Sequence, residues 1–386
     1  MVPKTADAVI IGAGVIGASI AYHLTRHGIR PLVLEKSDPA AGSSGACDGL
    51  VFMQSKKPGL HLRLALASLK RFSELNEILG RSIEFKNPSG MCLIESEAEH
   101  AAMRLFVAEQ RTSGLDVELI DGAEARRREP CLSDKVIAAT YSALDSQVNP
   151  YALTFAFLRA AKSAGAQILM GENVREVEVI GGRIRAVITD NRKIGTPLVI
   201  NAAGAWAAEV GRLAGLEIPI KPRRGQIVVT AAVPPLIRHC LISAQYVAVK
   251  FTPERVAAGG MGFSLEQVDS GNILIGSTRE FVGFDRRTTF EGIRTIASRI
   301  APVIPALKHV PVIRTFGGLR PYTPDGLPIL GKVAGLEGFI MAAGHEGDGI
   351  ALSPITGELI ADLIATGRTQ FPLEDFRLER FRERTA

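Results

Sequence analysis

Short apolar runs and helix-period stretches alternate at the start of the chain. Asp7 to Ile11 reads as a short apolar strand. Apolar residues then recur at helical spacing from Val15 to His27, and Gly28 supplies a C-cap. A second strand, Pro31 to Leu34, ends at Glu35. A strand–turn–helix–strand unit of about thirty residues has the size of one βαβ crossover.

Further along, a loop rich in Gly, Ser and Ala covers Pro39 to Gly49, and an amphipathic helix is predicted from His61 to Leu79. Short strands at Gly90 to Ile94 and Val117 to Ile120 flank a helix from Glu97 to Thr112. Asn149-Pro150 opens a capped helix that runs to about Ala164, with proline in the first turn. Strands follow at Ala166 to Leu169, Val174 to Ile180, Ile184 to Thr189 and Leu198 to Ile200, with a hairpin at Gly181-Gly182. Ile218 to Gly318 is strand-rich around one helix, Phe290 to Ile300. The chain closes with a strand from Gly338 to Met341, a glycine-rich turn and a helix from Ile350 to Ala365.

Length and composition narrow the classes. The 386 residues are enough for two domains, and 46% hydrophobic with 22% charged residues is ordinary for a globular chain. The net charge of +5 comes from short pieces such as Arg126-Arg127-Arg128 and Arg223-Arg224 without interleaved aromatics, which argues against nucleic-acid binding. Cys47, Cys92, Cys131 and Cys240 stand far apart, so neither a zinc ribbon nor a C-x-x-C redox site is expected, and no metal site is read. The apolar opening Ala8 to Ala21 lacks a basic lead and is too short to span a bilayer. A cytoplasmic protein is expected, with peripheral contact to the inner membrane left open.

The chemistry starts at Gly12-Ala13-Gly14-Val15-Ile16-Gly17. Such a turn lets a pyrophosphate approach the backbone at a helix N-terminus, and its third glycine allows close helix–strand packing. Glu35, at the end of the next strand, suits an adenosine ribose and disfavours a 2′-phosphate. These residues point to a dinucleotide and leave NAD and FAD both open. A second glycine turn, Gly344-His345-Glu346-Gly347-Asp348-Gly349, opens the last helix. A helix N-terminus there would stabilise charge gathering on a reduced flavin.

Further motifs span nearly the whole chain. They are Gly42-Ser43-Ser44-Gly45, Asp145 with Asn149-Pro150, Asn201 to Trp206 (NAAGAW), Arg224-Gly225-Gln226, and Gly318-Leu319-Arg320-Pro321 with Asp325-Gly326. With the two glycine turns they resemble the D-amino acid oxidase superfamily of FAD-dependent oxidoreductases, which includes glycine and sarcosine oxidases. Gly344 to Gly357 (GHEGDGIALSPITG) and Ser243 to Tyr246 (SAQY) look most like the flavin subunits of hydrogen cyanide synthase, opine oxidase and proline or hydroxyproline dehydrogenases.

The resemblance implies an α/β and α+β fold: a Rossmann-like FAD-binding domain (1–81, 142–217, 319–386) interwoven with a substrate domain on an antiparallel or mixed sheet (82–141, 218–318). It assigns FAD to Gly12, Gly14, Val15, Ile16, Gly17, Glu35, Lys36, Ser43, Ser44 and Gly45 near the N-terminus. Val174, Ala203, Gly204, Trp206 and Gly318 continue the set, and Gly344, His345, Gly347, Asp348, Gly349 and Ile350 complete it. His345 is read as structural beside the flavin rather than as a base, and Asp348 and Glu346 as helix caps. FAD is expected to be non-covalent, because Thr315 to Gly331 holds no Cys and Pro39 to Gly49 no His.

Arg320, read as lying between a strand and a Pro-rich turn, would bind a substrate carboxylate bidentately and Tyr246 would stand near it, although as a tyrosine in an apolar run it also suits a strand. Gly347 stands where glycine oxidase has a second substrate-binding arginine, which puts glycine itself in doubt as substrate. The implied reaction is hydride transfer from the Cα–H of an amino acid to flavin N5, giving an imine. The substrate would be a secondary or D-amino acid such as proline, hydroxyproline or an opine. The expected setting is a heteromeric dehydrogenase passing electrons to a partner, with a free-standing oxidase as the alternative.

Overall fold

The computed structural model describes residues 4–79, 83–251 and 262–381. One sheet has six strands in the order Ile329–Lys332, Phe339–Ala343, Val199–Asn201, Val9–Ile11, Leu32–Glu35, Gln167–Met170. All neighbours pair in parallel except the edge strand Ile329–Lys332. Val9–Ile11 and Val199–Asn201 are buried throughout, as a parallel sheet covered on both faces requires. Alternation along the first strand sends Ala8 and Ile10 to one core and Val9 and Ile11 to another. The first core is shared with helices Val15–Arg26, Leu60–Ile78, Pro150–Ser163 and Gly349–Thr366. The second lies under the antiparallel strands Val174–Ile180, Arg183–Thr189 and Lys193–Gly195.

An eight-stranded sheet runs Val312–Tyr322, Lys221–Thr230, Ile273–Gly276, Ser264–Gln267, Cys240–Ser243, Gly90–Ile94, Ala138–Ser142, Glu118–Asp121. It is antiparallel apart from the pairing of Cys240–Ser243 with Gly90–Ile94. The mixed α/β and α+β architecture is therefore the one expected.

Several elements match the sequence reading end to end: helices Glu97–Thr112 and Phe290–Ile300 and strands Gly90–Ile94 and Val174–Ile180. Two local readings change. Tyr246, read as suited to a strand, lies in helix Ala244–Phe251, where the Ser243 hydroxyl accepts its N–H at 3.2 Å and starts the turn. A short apolar run does not by itself separate helix from strand. Arg320, read as lying between a strand and a turn, sits inside Val312–Tyr322; Pro321 is tolerated there because that strand is the sheet's edge. Helix Gly349–Thr366 is long and apolar enough to cross a membrane, but Ile350 to Gly357 and Leu359 to Ala361 are buried in the protein, which accounts for their apolarity.

Candidate active site

The first glycine turn is shaped by contacts that only glycine permits. Gly12 has φ +109°, and an added Cβ would lie 2.6 Å from the Ala202 carbonyl oxygen. At Gly17 a Cβ would overlap the Gly12 carbonyl, so this glycine lets the helix close onto the strand. A Cβ on Gly14 would meet only the Ser44 hydroxyl, at 3.2 Å, so this side of the turn is open. The Ser44 hydroxyl accepts from Val15 N–H at 3.0 Å. Glu35 accepts from Ala13 N–H at 2.9 Å and, through its other oxygen, from Ser37 N–H at 2.9 Å. The acid assigned to a ribose thus also fixes the turn.

A cavity of 780 Å³ opens from this turn, within the size range of cofactor sites. Gly14, Val15, Ile16, Glu35, Lys36, Ser43 and Ser44 line it near the N-terminal turn, and Val174, Ala203, Gly204 and Trp206 line it beside them. Gly318, Arg320, Tyr246, His345, Gly347, Gly349 and Ile350 line the remainder. Gly12 also lines it. Among the predicted residues, Gly17, Gly45, Gly344 and Asp348 are not in the lining. Gly45 packs on the Ala40 carbonyl, to which a Cβ would come within 2.5 Å, and Gly344, at φ +85°, would bring one within 2.6 Å of the Thr323 methyl.

The second turn carries two corrections. Asp348 occupies the N-cap of Gly349–Thr366 but makes no side-chain cap bond. Its carboxylate instead meets Lys56 Nζ at 2.8 Å and His61 Nε2 at 3.2 Å. Glu346 pairs with Arg223 and accepts from Gly347 N–H at 2.5 Å. Both acids are buried, at 3% and 5% exposure, where a carboxylate needs a cation more than a helix needs a cap. Lys56 and Arg223 were invisible as partners in sequence, since only the fold brings them to these acids. His345 is buried, its Nε2 is 3.1 Å from the Thr356 hydroxyl, and burial pushes its pKa down to about 3.

At the other end, Arg320 donates to the Thr278 carbonyl at 3.1 Å and to the Ser277 hydroxyl, with Nε 4.0 Å from Glu346. Any side chain at Gly225, on the paired strand, would overlap its guanidinium. A Cβ built on Gly347 would stand 3.6 Å from Arg320 Nε and 3.9 Å from the Tyr246 hydroxyl, so the two side chains converge beside that glycine. Burial raises the Tyr246 pKa. Cys47 and Asp48 also line the cavity without having been singled out for it. Burial, with Asp48 and Glu266 nearby, holds the Cys47 thiol well above its usual range, which makes it a poor nucleophile toward a flavin.

The donor set fits FAD. An open glycine turn and an acid suit the pyrophosphate and ribose, and the glycine-rich start of a second helix offers backbone amides to an isoalloxazine. Fold and site together define a flavin-dependent oxidoreductase. Residues 7–363 match the DAO family, described as FAD dependent oxidoreductase, and the chain belongs to that family. It is 34% identical to a hydrogen cyanide synthase subunit of Pseudomonas aeruginosa, over 99% of this chain and 98% of that protein. Glycine oxidase of Geobacillus kaustophilus is 31% identical, over 97% of each. The crystal structure of L-proline dehydrogenase from P. horikoshii superposes with a TM-score of 0.90 at 29% identity, covering 99% of both chains. The chain is an FAD-dependent enzyme of amine oxidation.

Proposed function

We propose that the chain oxidises the CH–NH bond of an amino acid to the imine, acting on a secondary or D-amino acid such as proline, hydroxyproline or an opine. Arg320 carries this reading: it is a guanidinium at 14% exposure, held rigid by Thr278 and Ser277, beside Tyr246 and the glycine turn. A fork fixed in this way suits a carboxylate better than a lysine would. FAD, when bound, supplies the hydride acceptor. The residues orient the donor: Arg320 takes the carboxylate, the Tyr246 hydroxyl closes the same corner, and the N-terminus of Gly349–Thr366 stabilises negative charge beyond it. The substrate amine must lose its proton before the hydride departs, because the nitrogen lone pair drives that step, and the imine hydrolyses in water after release. FAD is held without a covalent bond.

The 34% identity to a hydrogen cyanide synthase subunit supports a place in a heteromeric dehydrogenase that passes electrons to a partner. The 31% identity to a glycine oxidase supports the second reading, a free-standing oxidase releasing peroxide. Turnover of candidate amino acids by the purified holoenzyme, in air and then with an artificial acceptor under argon, separates the two. Turnover only with the acceptor is expected. Rapid peroxide release by the chain alone would overturn the dehydrogenase reading.

A further inference from the structure

Beneath the Tyr246 ring lies a cation that the reaction just proposed does not use. Arg279 is 7% exposed, and its guanidinium carbon sits 4.1 Å from the centroid of that ring. Its Nε and Nη2 have no hydrogen-bond partner among the described residues. It follows Ser277 and Thr278, the two residues that hold Arg320. Glu280, next in sequence, is spoken for by Arg224 at 2.8 Å and by Gln226 and Thr278. Burial opposes the charged form of Arg279, yet a guanidinium keeps its proton in proteins. A buried cation with idle donors is costly unless an anion joins it.

No carboxylate among the described residues accepts a hydrogen bond from Arg279 Nε or Nη2. Arg223, Arg279 and Arg320 all act on one neighbourhood with Glu346, and Glu346 is already paired with Arg223. Arg320 reaches Glu346 only at 4.0 Å, and among the described residues Arg279 has no such contact. A single carboxylate on Arg320 would leave Arg279 uncompensated. Across the cavity, Asp48 is held by the Ser264 hydroxyl at 2.9 Å and faces the same space as Tyr246 and Arg320, where a substrate nitrogen would carry its positive charge. We propose that Arg279 is a second anion-binding group of the substrate site, and that the substrate is an amino or imino dicarboxylate with one carboxylate on Arg320 and the other on Arg279. This rests on the proposed amino acid oxidation and narrows its substrate class. It also accounts for Gly347: the second cation comes from the strand-side residue Arg279, and the turn stays clear.

Equilibrium titration of the FAD-loaded protein with non-oxidisable anions tests this without turnover. Acetate is compared with malonate, succinate and glutarate, and dissociation constants are read from the flavin difference spectrum. The best dicarboxylate is expected to bind at least about tenfold tighter than acetate, which corresponds to about 1.4 kcal/mol. Arg279→Gln should lower that ratio to about threefold or less, and Arg279→Lys should recover part of it. Equal affinities for acetate and every dicarboxylate in the unmodified protein overturn the proposal, and this comparison needs no variant to fold. Loss of acetate and dicarboxylate affinity by the same factor in Arg279→Gln also overturns it. Failure of every amino acid to bleach the flavin would instead overturn the amino acid reading, and the anion titration stays readable in that case.

Discussion

Arg320, the proposed carboxylate-binding residue, owes its placement to what surrounds it. Its fork is aimed by the Thr278 carbonyl and Ser277 hydroxyl, and the missing side chain of Gly225 leaves room for it. Hydrogen bonds to charged groups contribute about 1.5–3 kcal/mol each, so losing two through Arg320→Ala should lower kcat/KM by roughly 10²–10⁴-fold at unchanged flavin content. Arg320→Lys should recover little of it. Gly225→Ala should raise KM through the displaced fork, with the flavin spectrum intact. A second residue-scale prediction concerns pH. Burial, with Asp48 adjacent, raises the Glu266 pKa from 4.5 to about 8. Its contribution to stability is therefore fully present below pH 4.5 and is lost as pH rises through about 8. Glu266→Gln, which no longer titrates, should raise Tm by about 2–4 °C at pH 9 relative to the parent and do much less at pH 5, as thermal melts would show. Arg320 was legible in sequence because it stands in a compact motif. Arg279 was not, because nothing in the order of residues announces a guanidinium that folding leaves without a partner.

Two helix N-termini, those of Val15–Arg26 and Gly349–Thr366, line one cavity although their sequences lie more than three hundred positions apart. They are brought together by a close crossing at which a Cβ on Gly357 would overlap Ser19. Each would offer amides and the positive end of a helix dipole to an anionic cofactor. Gly17→Ala would force the first helix off its strand. Overpacking of that kind costs about 1–3 kcal/mol, so FAD should bind roughly 10–100-fold more weakly, read as a lower flavin-to-protein absorbance ratio after gel filtration. At this scale periodicity carried most of the information: both glycine turns and both helices were readable, because strand, turn and helix are local patterns. What the sequence reading got wrong, the capping roles of Asp348 and Glu346, depended on contacts of long range. Lys56 and Arg223 reach those acids only after the sheets assemble.

For the whole molecule, the parallel sheet carries the two glycine turns, while Arg320 sits on the edge strand of the eight-stranded sheet, Tyr246 on the helix that follows Cys240–Ser243, and Arg279 just beyond Ile273–Gly276. The chain returns to the first sheet after each excursion, so neither set of residues is contiguous in sequence. The strand-rich character of Ile218 to Gly318 was legible. The pairing order of the eight strands was not, since short strands carry little information on their neighbours. FAD bridging residues from both sheets should stabilise the fold by mass action, by about 2.7 kcal/mol at a hundredfold excess over its Kd. Thermal melts of flavin-free and reconstituted protein would show this as a Tm that rises with added FAD, and an unchanged Tm would speak against a shared site. The most direct measurement follows flavin absorbance under argon as amino acids are added to the holoenzyme. The account predicts that at least one secondary or D-amino acid bleaches the flavin, and that Arg320→Ala abolishes bleaching at the same concentration. A flavin that no amino acid reduces, or one reduced equally well without Arg320, would contradict it.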